Sequence, residues 1–247
     1  MPRTAPTPSR LVRRQTAPVL PSLSRFRWQG RFGSLDAITG QSGTLTRAAT
    51  GTAVDSLGVT YTAAHSMPRW EPRGGQLGLR LGADDLTWPC QWTPEQATIL
   101  IEFAEEGTRT TSGAGLLYLG NDAQTGGRLV VDTTGTQYRA TLHNGTTSQS
   151  VTLGTATPTT GQPARMLLHL DDDGTDQRVR LWLDIPSEAG EVATAWSSTV
   201  TRTASWGAAS RLRVNRVGSA GTQGSTWVRQ IAWCAGLLTL DEMVGRL

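Results

Sequence analysis

From residue 96 onward, apolar and polar positions alternate in short runs: ATILIEFA, GLLYLG, GRLVVD, QYRATL, QSVTL, RMLLHL, RVRLWLD, RLRVNRVG and TWVRQIAW. Each run is of strand length and bounded by turn residues, and a period of two sets one face in a core and the other in water. In RVRLWLD, Val179, Leu181 and Leu183 form the predicted buried face, and Arg178, Arg180 and Trp182 the wet one. Nine such runs in succession predict an antiparallel sandwich. Two connections carry their own turn chemistry. Asn144-Gly145, a pair that tolerates the positive φ of a tight hairpin, joins QYRATLH to TTSQSVTL, and the loop DDDGTDQ joins RMLLHL to RVRLWLD. The period changes in LLTLDEMVGRL, where Thr239 is placed as a helix N-cap, Asp241 and Glu242 stand in the first turn and Arg246 lies near the end. One short helix is therefore predicted to close the chain, and no segment repeats another.

The pattern is weaker before residue 90. Residues 25–89 hold short apolar pieces, Phe32 to Ile38 and Val54 to Tyr61, interrupted by glycines and by Pro68, Pro72 and Pro89. They read as short hairpins and loops laid on the sandwich or on partners, with Leu77, Leu79 and Leu81 alternating as a strand after Gly74-Gly75. Residues 1–24 carry Pro2, Pro6, Pro8, Pro18 and Pro21 among Ser, Thr and Arg, a composition that favours an extended arm with no core of its own.

Composition sharpens this division. The chain has 247 residues and a mass of 26.5 kDa, enough for one sizeable sandwich with an appendage or for two small domains. Its 36 Thr and 28 Gly argue against an all-helical fold. All 23 basic side chains are Arg, and there is no Lys. Seven of them, Arg3, Arg10, Arg13, Arg14, Arg25, Arg27 and Arg31, precede the first acid, Asp36. The rest of the chain sets 16 Arg against 20 acids, a net −4, so the sequence pI of 9.4 describes an acidic body with a basic arm and not a uniformly basic nucleic-acid binder. The arm's guanidinium groups suit a tether that forks onto carboxylates of neighbouring proteins, and the plain alternative is a solvated tail. No apolar run is long enough for a membrane span. The start MPRTAPTPSRLVRRQ has no apolar signal-peptide core, which predicts synthesis in a cytoplasm. Cys90 and Cys234 form no disulfide framework or thiolate metal site and read as two buried, reduced thiols.

Two stretches resemble known families. RLRVNRVGSAGTQGSTWVRQIAWCAGLLTLDEMVGRL, residues 211–247, resembles the closing strand, hairpin loop, strand and helix of concanavalin A-like, laminin-G-like jelly rolls, and RMLLHLDDDGTDQRVRLWLD resembles their central hairpin. This implies an all-β fold: an antiparallel sandwich over residues 90–247 with an extended N-terminal arm and one short C-terminal helix. The second resemblance lies in ATGTAVDSLGVTYTAAHSMPRWEP, residues 49–72, where Ala49, Thr50, Val54, Asp55, Gly58, Val59, Thr62, Ala63, Ala64, Pro68, Arg69 and Trp70 are similar to a segment of bacteriophage virion proteins that precedes a jelly roll. Gly78-Leu79-Arg80-Leu81 follows without the Glu that usually ends the next run in that family. The resemblance implies a tailed-phage structural protein, a tail component or receptor-facing appendage.

Candidate chemistry is sparse. A sandwich glycosidase needs two carboxylates on one strand face, and the nearest groups are Glu102, Glu105 and Glu106, with Asp184 and Glu188. Glu102 and Glu106 share a face, but Gly107 ends the run and the family's Glu-x-Asp-x-x-Glu spacing is missing, so they read as a polar strand end. Asp171, Asp172, Asp173 and Asp176 have the oxygens for calcium or, more plainly, the turn chemistry of a hairpin. His65, His143 and His169 are isolated, and His169 alternates with apolar neighbours so as to point away from the core. Among the nine Trp, Trp227 and Trp233 have core spacing, while Trp196 and Trp206 lie in a Ser/Thr-rich stretch suited to glycan or interface contact. The sequon at Asn144 is accounted for by the turn.

The reading is a non-enzymatic virion protein without cofactor. It is present in repeated copies or as a homo-oligomer, and its seven arm arginines bind other virion proteins. Capsid decoration and a carbohydrate-binding host-adhesion module recognising a surface glycan are the alternatives, with no nucleic-acid partner and no membrane insertion.

Overall fold

Alternating strands with one apolar face must bury that face against another layer, and here two antiparallel sheets do so. The computed structural model describes residues 26–31, 52–54, 60–62, 69–73, 76–81, 85–89, 96–107, 113–121, 124, 126–154, 158–186, 191–202, 210–215 and 226–244. The first sheet runs β14 (Glu191–Ala193), β13 (Asp176–Asp184), β12 (Pro163–Asp172), β7 (Ala97–Glu105), β17 (Thr226–Ala235), β5 (Gln76–Arg80) and β4 (Arg69–Arg73). Strand β1 (Phe26–Arg31) also pairs with β17, and β15 (Val200–Thr201) with β13. The second sheet runs β11 (Ser148–Thr152), β10 (Gln137–Asn144), β9 (Gly127–Thr134), β8 (Gly115–Asn121), β16 (Ser210–Val214), β6 (Asp85–Pro89), β3 (Thr60–Thr62) and β2 (Thr52–Val54).

The core lies between the sheets. Ile99, Ile101 and Phe103 of β7, Met166, Leu168 and Leu170 of β12, and Val179, Leu181 and Leu183 of β13 meet Leu129, Val131, Tyr138 and Leu142 of the second sheet. Strand β13 alternates buried and half-buried residues along its whole length, as its sequence predicts. Phe103 and Tyr138 pack edge to face across the layers, with ring centroids 5.8 Å apart.

The short strands before residue 90 are members of these sheets. Strand β1 takes the C-terminal half of the β17 edge, with Gly30 opposite Ile231, and β5 takes the N-terminal half, with Leu79 opposite Val228. Pro72 lies within β4 and Pro89 ends β6. A proline lacks the N–H for a ladder on both sides, so these places, an outer strand and a strand terminus, are where a sheet tolerates one.

The predicted hairpin at Asn144-Gly145 forms by a different device. Register runs to His143 opposite Ser148, so four residues make the turn, and Gly145 takes positive φ (99°) while Asn144 does not. Asn144 instead uses its side chain, whose Oδ1 accepts from Thr146 N at 2.9 Å and Thr147 N at 2.8 Å.

The outer face of the first sheet is covered at its centre. Leu100, Leu167, Ala232 and Cys234 form a second apolar cluster with Leu238 and Met243 from the segment carrying helix α1 (Leu240–Val244). Thr239 caps that helix reciprocally: its Oγ1 accepts from Glu242 N at 3.3 Å, and Glu242 Oε2 accepts from Thr239 N at 2.8 Å. Arg246 and Cys90 lie outside the described residues. Among the described residues no helix is long and apolar enough to cross a membrane.

Strand β5 packs closely because Gly78 has no side chain. A methyl group there would sit 2.3 Å from Cε2 of Trp227, which is only 1% exposed. Gly78→Ala is therefore expected to lower unfolding stability by about 1–3 kcal/mol through overpacking. Gly154→Ala, with no atom within 4 Å of the added methyl, is expected to change it by less than about 0.5 kcal/mol. Urea unfolding of the two variants checks this, and equal midpoints would contradict it.

Candidate functional site

The alternation that buries one face of β7 turns Thr98, Leu100, Glu102 and Ala104 to the outer face, and the polar members must find partners there. Glu102 is 4% exposed. Its Oε1 accepts from Arg165 Nε at 2.9 Å and its Oε2 from Arg229 Nη1. Arg165 also lies 3.7 Å from Asp184. Glu106, just past the strand, pairs with Arg73 and, at 3.0 Å, with Arg80. Glu105 faces inward and accepts the Tyr138 hydroxyl. The three glutamates of this strand end thus hold arginine or tyrosine partners. Beside Glu102 a pocket of about 240 Å³ opens, lined by Arg73, Arg165, Arg229, Trp227, Pro163 and Pro186. Its charged residues come from strands far apart in the chain. The signal that points to them is the outward parity of Arg165, directly opposite Glu102 in register.

At the other end of the same face, His169 points away from the main core, as its spacing predicts, yet it is 5% exposed because the C-terminal segment covers it. Its Nδ1 accepts from Arg180 Nε at 2.9 Å, so Nε2 carries the proton and donates to Leu238 O at 2.7 Å. Burial lowers its pKa first, and Arg180 adds to that, while the bond to Leu238 acts the other way. Trp196 is half-buried here, with the guanidinium of Arg178 4.9 Å and that of Arg180 4.5 Å from its ring centroid. The indole is thereby engaged by this sheet's own arginines. Trp206 lies outside the described residues, and Trp227 and Trp233 are both buried.

The acidic loop is built as a turn. Asp172 Oδ1 accepts from Gly174 N at 2.8 Å, and its Oδ2 accepts from Gln177 and lies 3.1 Å from Arg202. Asp173 Oδ1 accepts from Thr175 N at 2.8 Å and Asp176 N at 2.7 Å, and these backbone bonds lower its pKa. Asp171 takes Gln96 at 2.7 Å and Arg178 at 2.9 Å. Three of the four carboxylates that sequence alone offers to calcium, Asp171, Asp172 and Asp173, have protein donors. Among the described residues no group of three or more His, Cys, Asp or Glu is arranged to hold a metal.

The outer face of the second sheet carries Arg128 directly opposite His143, with Arg139 on the same strand as the histidine. Arg139 grips Asp132 with two bonds of 3.0 and 2.7 Å, and that hydrogen bond raises its own pKa. Burial and the positive charges of Arg128 and Arg139 lower His143 to about 4, against a weaker opposing pull from Asp132. Of the arm arginines, Arg3, Arg10, Arg13, Arg14 and Arg25 lie outside the described residues, and Arg27 and Arg31 fall in β1.

Domain 4 of AbnA, a GH43 extracellular arabinanase from Geobacillus stearothermophilus, solved in complex with arabinotriose, matches with a TM-score of 0.57 at 14% identity, over 88% of this chain and 96% of that one. The fold is an antiparallel jelly-roll β-sandwich. HCR/D-Sa-GBL1/C matches this jelly roll with a TM-score of 0.50 at 10% identity, over 83% of this chain and 51% of that one. The LG1-3 region of the laminin α2 chain gives 0.48 at 12% identity, over 61% and 30%. The jelly roll therefore spans nearly all of the arabinanase domain and about half or less of the other two chains. No protein-family model matches the sequence, and no curated protein matches it.

The depressed histidine gives a pH signature of known sign. Its folded value of about 4 lies below the ordinary 6.5, so the unfolded chain takes up the proton first and stability falls as pH drops. The contribution of His143 is complete above pH 6.5 and is lost as pH falls from 6.5 through about 4. A side-chain NMR titration of His143 is expected to show a midpoint near 4, moving upward in Arg128→Gln. A midpoint near the ordinary value in the parent protein would contradict it.

Proposed function

We propose that this protein is a non-enzymatic structural protein of a tailed-phage virion, a tail component or appendage present in repeated copies and tied to other virion proteins by its basic N-terminal arm. The observation that carries the non-enzymatic part is the commitment of the sandwich's acids. Glu102, Glu106, Asp132, Asp171 and Asp172 each hold an arginine, whereas glycoside hydrolysis needs a carboxylate pair flanking an open cleft. Support for the virion comes from the resemblance of residues 49–72 to phage virion proteins and from opposite charges on arm and body, which favour linkage between neighbours. Strand β1 follows the arm and is hydrogen-bonded along β17, so the tether leaves from an element of the sheet itself.

Deleting residues 1–24 is expected to abolish incorporation into particles while leaving thermal unfolding of the sandwich unchanged, read by particle sedimentation and by circular dichroism. Equal incorporation of the truncated protein would refute the tether. Labelling along the shell in place of the tail would replace the tail assignment by capsid decoration.

A second reading, a carbohydrate-binding host-adhesion module, is favoured by one observation: the arabinanase domain that aligns over 96% of its length holds arabinotriose. A glycan array probed with the full-length protein tests it, and an array with no bound glycan would remove it.

A further inference from the structure

In the pocket beside Glu102, on the outer face of the first sheet, several cations converge on a concave surface. Three arginines line it against a single glutamate. Glu102 holds Arg165 and Arg229 together, one on each carboxylate oxygen. A guanidinium has five N–H donors. Both arginines hydrogen-bond Glu102, Arg165 through Nε and Arg229 through one Nη, Asp184 lies 3.7 Å from Nη1 of Arg165, and the side chains remain 32% and 25% exposed. Further donors on both are therefore available to a ligand, in a geometry that already fits one planar carboxylate.

We propose that this pocket binds a carboxylate-bearing sugar residue, with Arg165 and Arg229 gripping the carboxylate and Pro163, Pro186 and Trp227 lining the space for the ring. The proposal names a ligand class for the carbohydrate-binding reading and rests on it. Three observations carry it. The ion-pair cluster around the pocket, Arg73, Arg80, Arg165 and Arg229 against Glu102, Glu106 and Asp184, keeps one net positive charge, which favours an anion over a neutral sugar. The planar forks of arginine prefer a bidentate carboxylate over a point charge. The volume, about 240 Å³, lies below the roughly 300–1,000 Å³ typical of pockets for drug-sized ligands, so it takes one ring and not a long oligosaccharide. Glu102, held by two arginines, positions the forks and stays out of contact with the ligand's own carboxylate.

Isothermal titration of the full-length protein with an oligogalacturonate and with arabinotriose tests the proposal. The acidic sugar is expected to bind, more weakly as salt rises, and the neutral one is expected neither to bind this pocket nor to compete. Arg165→Gln and Arg229→Gln are each expected to weaken binding on the order of tenfold or more, as for loss of a hydrogen bond to a charged group. Arg165→Lys keeps the charge, removes the fork and is expected to weaken binding as well. Pro186→Asp adds a negative charge at an exposed rim position without touching the Glu102 pairs, and it is expected to weaken binding with no change in thermal unfolding. Binding of the acidic sugar that is unaffected by Pro186→Asp and Arg165→Gln overturns the pocket and leaves the carbohydrate reading standing. Failure of the acidic sugar to bind overturns the pocket, while the carbohydrate reading stands or falls with the glycan array. Preference for a polyglutamate peptide over the oligogalacturonate overturns the sugar and leaves an acidic protein segment as the occupant.

Discussion

All nine residues of β7 are buried, and much of the molecule follows from that one constraint. A strand enclosed on both faces cannot leave its polar groups to water. Inward, Glu105 meets the hydroxyl of Tyr138, a residue of the opposite sheet. Outward, Thr98 donates to Gly236 O at 2.8 Å and accepts from Leu238 N at 2.8 Å, which fixes the chain just before the helix and lays Leu238 and Met243 over Leu100. Glu102 draws in Arg165 from β12 and Arg229 from β17. Helix, capping box and arginine cluster are thus the covering that one central strand requires.

How much of this the sequence discloses depends on the range of each interaction. Residues 176–184 reveal their structure because the signal is local: Val179, Leu181 and Leu183 alternate with polar neighbours, and the strand alternates in the same phase. Thr239 and Glu242 reveal the helix start for the same reason, being three positions apart. Strands of three to six residues such as β2 and β1 have too few positions to establish a period. Their place is decided by partners far away: β1 is fixed by pairing with residues some 200 positions later. Asn144 is an intermediate case, with a signal strong enough to locate the turn but silent on whether the residue would use its backbone or its side chain.

The candidate site was hidden for a related reason. Arg73, Arg165 and Arg229 look unrelated along the chain, and only the strand order β12, β7, β17 brings the last two to either side of Glu102. Trp196 sits against Arg178 and Arg180, two outward residues of one strand, a contact its Ser/Thr-rich surroundings in the chain do not reveal. Both ends of this face follow one rule: outward arginines gather on whatever planar group lies beside them, from two strands on a carboxylate at one end and from one strand on an indole at the other. The apolar patch under α1 separates the two gatherings.

The exclusive use of arginine shapes the response of these contacts to alkali. A lysine ammonium gives up its proton in moderately alkaline solution, whereas a guanidinium stays charged throughout the range in which proteins survive. With 23 Arg and no Lys, the pairs at Glu102, Glu106, Asp132, Asp171 and Asp172 contain no cation that loses its charge in moderately alkaline solution. The sandwich is built to keep its charged contacts in base.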